Sequence, residues 1–224
     1  MIATEGSLFG RLRAAAAGEW DGYTRHEFVR RLGDGSLPEA CFRRYLIQDY
    51  LFLIQFARAY ALAAYKSETL ADIRDAAHSV AAIADTEMSL HVTYCAGWGL
   101  TEDDLAGAPE ATATMAYTRY VLEKGASGDL LDLYVALAPC IVGYAEIGTW
   151  LRADPDTRTE GNAYAAWIDM YAGADYQEVA KGAVEQLDRL ERSRAGPGRF
   201  DALARTFRQA TRLEIAFWDM GLSP

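Results

Sequence analysis

Residues 38–66 read PEACFRRYLIQDYLFLIQFARAYALAAYK, and this stretch decides the fold. Its apolar side chains recur at three- and four-residue steps, which places them on one face of an α-helix. This stripe consists of Phe42, Tyr45, Leu46, Phe52, Leu53, Phe56 and Tyr60. Because four polar side chains interrupt the apolar run between residues 45 and 64, a membrane span is disfavoured and a buried helix of a soluble protein is predicted.

The same spacing continues through most of the chain, and no run alternates apolar and polar residues with a period of two. The sequence therefore predicts an all-α fold. We expect helices, accurate at their ends to a few residues, at 5–18, 25–32, 38–66, 69–98, 108–125, 129–152, 160–172, 174–193 and 199–220. Glycine and proline turns separate the helices, and no repeat or long linker marks a boundary, so residues 1–224 are expected to form a single domain.

The amino-acid composition limits the classes of protein to which the chain can belong. The 224 residues are 51% hydrophobic, 24% charged and 12% aromatic, a profile typical of a globular enzyme. A formal charge of -10 and the lack of a Lys/Arg run oppose binding to nucleic acid. The first residues do not form a secretory signal, and Cys41, Cys95 and Cys140 are too widely spaced for a disulfide framework. We expect a cytoplasmic protein with reduced thiols that binds neither nucleic acid nor a membrane.

Three reactive side chains fall where the helical period requires a hydrophobic residue: Asp49, Cys140 and Glu214. A buried carboxylate must be paired, hydrogen-bonded or facing a cavity, so Asp49 indicates either a functional site or a structural bond to a core Tyr or Arg. A buried cysteine is usually an inert packing residue. Glu214 fits equally an inward carboxylate and a surface glutamate at the edge of the stripe.

Tyr117, Tyr144 and Tyr171 each fit the pattern of a core aromatic residue with its hydroxyl at the edge. Taken with two carboxylates and a thiol, they predict one wet pocket with flat aromatic walls, which suits a planar, nitrogen-rich heterocycle. Glu87 and His91, four residues apart, lie on one side of a helix. Such a pair ligates iron or zinc in some proteins, but an intrahelical hydrogen bond or a core pairing is its more common use.

Six segments carry a resemblance to a known family. They are His26-Glu27-Phe28, Gly33-Asp34-Gly35-Ser36-Leu37-Pro38, Phe42-Arg43-Arg44-Tyr45-Leu46-Ile47-Gln48-Asp49, Glu87-Met88-Ser89-Leu90-His91, Ala138-Pro139-Cys140 and Phe217-Trp218. In this order they make the chain resemble the TenA (thiaminase II) family from about residue 10 to residue 220. The resemblance implies a haem-oxygenase-like helical bundle, commonly a homotetramer, without a bound metal or other cofactor.

The resemblance also implies an activity: hydrolysis of 4-amino-5-aminomethyl-2-methylpyrimidine, and of thiamine, to 4-amino-5-hydroxymethyl-2-methylpyrimidine for thiamine salvage. By motif position it implies Cys140 as the nucleophile, Glu214 as the proton-transfer carboxylate and Asp49 as the carboxylate that holds the aminopyrimidine edge. Tyr144 and Tyr171 match tyrosines that contact the substrate, and Tyr117 matches a further pocket tyrosine. The presence of Cys140 implies the cysteine-bearing branch of the family.

Phe52 departs from the pattern of those members that carry a tyrosine three residues after the aspartate. The missing hydroxyl removes a hydrogen-bond donor to the thiolate, worth about 1–3 kcal/mol. This departure motivates an alternative, a catalytically weak pyrimidine-binding or regulatory protein. A di-iron oxygenase on the same fold is a third interpretation, based on Glu87 with His91 and Asp75 with His78. It is disfavoured because both sets fall on one helix.

Overall fold

The computed structural model describes residues 6–158 and 160–223. Within these ranges the chain forms α-helices and one π-helical turn and no β-strand, so the all-α prediction is confirmed. The predicted helix start at residue 5 lies outside the described residues. The helices are α1 (Leu8–Ala15), α2 (Ala17–Thr24), α3 (Glu27–Asp34), α4 (Glu39–Lys66), α5 (Leu70–Ala82), α6 (Met88–Ala96), α7 (Glu102–Ala106), α8 (Thr112–Ser127), α9 (Leu130–Ala153), α10 (Ala165–Ala172), α11 (Ala174–Arg194) and α12 (Arg199–Leu222).

Contacts between Cα atoms divide the chain into two compact units. The first unit contains the described parts of 1–38 and 134–219, which hold α1 to α3, α10, α11 and most of α9 and α12. The second contains the described parts of 39–133 and 220–224, which hold α4 to α8 and the π-helical turn. The single domain proposed for residues 1–224 stays a prediction.

The break between α1 and α2 is a feature that the sequence pattern did not predict. Instead of one helix over 5–18, α1 ends at Ala15, because the φ of -121° and ψ of 30° at Ala16 are not helical, and α2 follows. Two glycines weaken the intrinsic helix propensity of α2. Burial of Trp20 and Tyr23 stabilises it instead, so tertiary packing decides this segment.

Helix α9 runs through the core of the first unit. It is long and apolar enough to cross a membrane by length and composition, but 83% of its most apolar window is buried, as in a core helix. Pro139 lies inside this helix, where it removes a backbone donor. The Tyr23 hydroxyl donates to the Pro139 carbonyl oxygen over 3.3 Å. Gly143 admits the Tyr23 ring, since a Cβ at this position would overlap it.

A second glycine of α9 allows the end of α10 to lie directly against it. A Cβ added at Gly148 would stand 2.6 Å from the backbone nitrogen of Ala172 and 2.6 Å from the carbonyl carbon of Tyr171. Both are backbone atoms, and backbone moves away from a new methyl group less easily than the end of a flexible side chain does. Gly148 therefore sets the position of Tyr171 relative to α9.

Gly148→Ala is expected to lower the free energy of unfolding by roughly 1–3 kcal/mol, because the new methyl group overpacks a backbone contact. Thermal and urea denaturation measure this effect. Gly182→Ala is the matched control, because Gly182 lies in α11 and has no atom within 4 Å of an added Cβ. The control should gain up to about 1 kcal/mol, since alanine is the better helix former. Equal stability of the two variants would contradict the packing described for Gly148.

The second unit is organised by α4, whose buried side chains confirm the stripe predicted for it. One of the expected glycine and proline turns precedes α4: Gly35 has a φ of 77°, and α4 starts at Glu39. Buried Gln48 holds the start of α8: its side-chain oxygen accepts from the Ala111 backbone nitrogen and from the Thr114 hydroxyl, both at 2.8 Å. Since the Ala111 side chain cannot cap α8, Gln48 takes over this function.

Candidate active site

Cys140 and Glu214 both lie in the first unit, on α9 and α12 respectively. The Cys140 side chain is partly accessible, whereas Glu214 is only 2% exposed. Glu214 shares its buried face with Phe207, Thr211, Phe217 and Trp218. The inward carboxylate is therefore the correct one of the two interpretations of Glu214. One thiol with partial access and one buried carboxylate are the groups that covalent and acid–base catalysis need.

Aromatic rings of the first unit form a continuous cluster that includes both predicted tyrosines. The rings of Tyr144 and Tyr171 have centroids 4.8 Å apart, and Tyr144 lies 5.5 Å from Trp218. Trp167 lies 4.5 Å from Tyr171. Tyr144 follows Cys140 by one helical turn, and Trp218 follows Glu214 by one turn. The cluster therefore brings the helix turns that carry the thiol and the carboxylate close to the same flat rings.

In the second unit, Asp49 is 4% exposed and anchors a buried hydrogen-bond network. Its Oδ2 accepts from the Tyr45 hydroxyl at 3.0 Å and lies 2.6 Å from the Nε2 of His91. The bond to a core tyrosine is what the structural interpretation of Asp49 predicts. Neither bond uses Oδ1, and among the described residues no hydrogen-bond partner of Oδ1 is found. Asp49 therefore combines a structural role with an oxygen that remains able to accept from a ligand.

His91 is the buried partner that the sequence pattern did not assign to the site. It is 0% exposed, and its Nδ1 lies 2.8 Å from the carbonyl oxygen of Glu87. Burial disfavours the imidazolium, but the hydrogen bond and charge of Asp49, together with the Glu87 carbonyl, outweigh burial and raise the pKa of His91. The expected intrahelical bond and core pairing of His91 are thus both confirmed. No sequence spacing could identify the pairing, because Asp49 lies 42 positions away.

The geometry of His91 also bears on the di-iron interpretation. Both of its ring nitrogens are engaged by protein groups, Asp49 and Glu87, which leaves neither for a metal ion. Across residues 6–158 and 160–223, no group of three or more His, Cys, Asp or Glu side chains is placed to hold a metal. The described side chains therefore do not provide the ligand set that two iron ions require.

Phe52 and Tyr117 pack together in the second unit, with ring centroids 5.1 Å apart. Phe52 is in turn stacked on Phe56 at 5.2 Å. Both Phe52 and Tyr117 are buried, at 3% and 1% exposure. The two residues thus form a single aromatic contact between α4 and α8, one turn along α4 from Asp49.

The seven predicted residues fall into two groups, one in each unit. Cys140, Glu214, Tyr144 and Tyr171 belong to the first unit, and Asp49, Phe52 and Tyr117 belong to the second. Trp167 joins the first group and His91 the second, although the sequence pattern placed neither in the site. Trp218 also joins the first group, beside Tyr144.

The chain matches the model of the TENA/THI-4/PQQC family over residues 13–223. Among curated proteins, the aminopyrimidine aminohydrolase of Halalkalibacterium halodurans is 35% identical over 202 residues, which cover 90% of this chain and 89% of that protein.

Two solved structures extend the comparison. A protein of Silicibacter sp. TM1040, described as a TenA family transcription regulator, has a TM-score of 0.92 at 46% identity, with 98% of both chains covered. A domain of unknown function with a heme oxygenase-like fold from Shewanella denitrificans has a TM-score of 0.71 at 14% identity, with 96% of this chain and 92% of that chain covered. The predicted haem-oxygenase-like helical fold is therefore confirmed.

Proposed function

Because the chain belongs to the TENA/THI-4/PQQC family, we propose that it is an aminopyrimidine aminohydrolase of the thiaminase II type. The substrate is 4-amino-5-aminomethyl-2-methylpyrimidine, with thiamine as a second substrate, and the product is 4-amino-5-hydroxymethyl-2-methylpyrimidine for thiamine salvage. The name of the Halalkalibacterium halodurans relative supports this reaction class. The observation that carries the proposal is the placement of a partly accessible Cys140 and a buried Glu214 one helical turn from the joined rings of Tyr144 and Trp218.

The reaction proceeds by covalent catalysis. The Cys140 thiolate forms a bond to the electron-poor pyrimidine ring, and the added electron density breaks the bond between the exocyclic methylene and its nitrogen. The leaving group departs as ammonia, or as the thiazole when thiamine is the substrate. Water then bonds to the vacated methylene carbon, and the sulfur leaves the ring with restoration of its aromatic electrons. No step requires a metal or other cofactor.

Glu214 and Asp49 divide the remaining tasks. When ammonia leaves, Glu214 donates a proton to the departing nitrogen and later accepts one from the attacking water, so that protons balance over the cycle. The thiazole leaves thiamine as a neutral base without gaining a proton, so the proton that water loses passes through Glu214 to solvent. Asp49 accepts from the exocyclic amine of the pyrimidine and holds the ring in register. Tyr144, Tyr171 and Tyr117 bound the ring as aromatic walls.

A second candidate is a catalytically weak pyrimidine-binding or regulatory protein of the same family. Two observations favour it. Phe52 packs as a plain aromatic ring against Tyr117 and offers no hydroxyl to the thiolate. The relative from Silicibacter sp. TM1040 is described as a transcription regulator. Such a protein would bind the pyrimidine tightly without releasing product.

Steady-state assays of the two pyrimidine substrates separate these candidates. The purified protein is expected to release ammonia and 4-amino-5-hydroxymethyl-2-methylpyrimidine in equal amounts from the aminomethylpyrimidine, and the thiazole from thiamine. The ratio of the two kcat/KM values identifies the preferred substrate. Tight binding without either product would reject the hydrolase in favour of the regulatory protein.

For the assembly and location, we propose a homotetramer in the cytoplasm, of the cysteine-bearing branch of the family. Tyr65, Leu70 and Ile73 are exposed apolar side chains at the end of α4 and the start of α5, which supports self-association at this surface. Cys41, Cys95 and Cys140 form no disulfide with one another, which supports a reducing compartment. Light scattering of the purified protein tests the tetramer directly.

A further inference from the structure

The hydrogen bonds of His91 fix the position of one of its protons. A backbone carbonyl oxygen only accepts, so the Nδ1 beside the Glu87 carbonyl must carry a proton. The Oδ2 of Asp49 accepts from the Tyr45 hydroxyl and lies 2.6 Å from Nε2. This short contact holds one proton between the imidazole and the carboxyl group. The buried pair therefore has no net charge.

A π-helical turn precedes His91 in the chain and determines the direction in which its side chain points. The π-helical turn Ile83–Glu87 ends with a bond from the Met88 nitrogen to the Ile83 carbonyl oxygen, five residues back. One extra residue in a turn rotates all later side chains by about 100° relative to an uninterrupted α-helix. His91 follows directly on the next turn, and the carbonyl that holds its Nδ1 belongs to Glu87, the last residue of the π-helical turn.

The geometry points to His91 as a positioning residue for ligand recognition: it holds Oδ2 of Asp49, together with Tyr45, so that Oδ1 is reserved for one N–H donor of the ligand. The inference rests on the proposed function, because it takes that donor to be the exocyclic amine of the aminopyrimidine. With two donors on Oδ2, the carboxylate can no longer rotate freely. Because the pair is neutral, it favours an uncharged amino group over a cationic one.

The test compares binding of 4-amino-5-aminomethyl-2-methylpyrimidine by calorimetry in the Cys140→Ala background, where the ligand is not turned over. His91→Leu is expected to weaken binding roughly 10- to 100-fold, since it leaves a buried carboxylate without its strongest partner. His91→Gln, which keeps a neutral N–H donor for Oδ2, should recover most of this loss. His78→Leu is the matched control, because His78 is an exposed histidine of α5. This variant should bind the pyrimidine as tightly as the background protein does.

A purely structural role gives a different pattern. If His91→Leu melts at a lower temperature but binds the pyrimidine as tightly as the background protein, the positioning role is wrong. If His91→Leu does not fold, the comparison rests on His91→Gln and on nitrogen NMR of the His91 ring. A proton on Nδ1 supports the pair described above, and an unprotonated Nδ1 overturns it. A background protein that binds no pyrimidine refutes the proposed function itself, and the ligand assignment of Asp49 with it.

Discussion

Replacing Cys140 by alanine is expected to lower kcat for ammonia release by about a thousandfold or more, with the helical fold retained. Removal of the sulfur leaves no nucleophile to add to the pyrimidine ring, so the bond to the leaving nitrogen is not weakened. Cys140 is the partly accessible cysteine, which permits contact with a ligand. Steady-state release of ammonia measures the effect, and circular dichroism verifies the fold.

The matched control is Cys95→Ala. Cys95 is fully buried in α6, and burial raises the pKa of its thiol to about 11, so it stays protonated and unreactive near neutral pH. The control is therefore expected to keep the kcat of the unmodified protein. Unchanged turnover in Cys140→Ala would place the nucleophile elsewhere and refute the covalent mechanism.

Glu214→Gln is expected to lower kcat by roughly 10²- to 10⁴-fold, the range that general acid–base catalysis supplies. Glutamine keeps the size and hydrogen-bonding capacity of the side chain but cannot exchange a proton with the leaving nitrogen or with water. Because the carboxylate is 2% exposed, bulk water is poorly placed to replace it. Since the amide still fills the site, substrate binding should change far less than kcat.

Separate rates for ammonia departure and for hydrolysis of the covalent intermediate make this test more specific. Burst kinetics should show that both departure of ammonia and hydrolysis of the covalent intermediate are slowed in Glu214→Gln. Glu185→Gln, an exposed glutamate of α11, is the control and should leave both steps unchanged. A variant Glu214→Gln that turns over at the unmodified rate would assign the proton transfers to another group.

Much of the fold is predictable from the sequence because the helical period is strong. The stripe of α4 and a glycine turn before it, at Gly35, appear as expected. Thr101 forms a capping box with Asp104. That cap starts a separate short helix, α7, because the chain turns at Gly107 before α8. Tertiary packing rather than local propensity forms α2, and the π-helical turn has no signature in the apolar period.

The candidate site is predictable only in part. Asp49, Cys140 and Glu214 stand out because burying a polar group on an apolar stripe costs free energy unless the group is paired, hydrogen-bonded or facing a cavity. Their burial or partial burial agrees with that interpretation. His91 was visible only as a partner for Glu87, since its bond to Asp49 depends on how α6 packs against α4. Trp167 has no neighbour in sequence that marks its contact with Tyr171 as different from ordinary core packing.

The most direct test of the account is a crystal structure of Cys140→Ala with 4-amino-5-aminomethyl-2-methylpyrimidine bound. We predict one pyrimidine ring with its aminomethyl nitrogen within hydrogen-bond distance of Glu214 and its ring edge over residue 140. A ring bound away from either position would contradict the claim that a thiol and a carboxylate act on a single ligand.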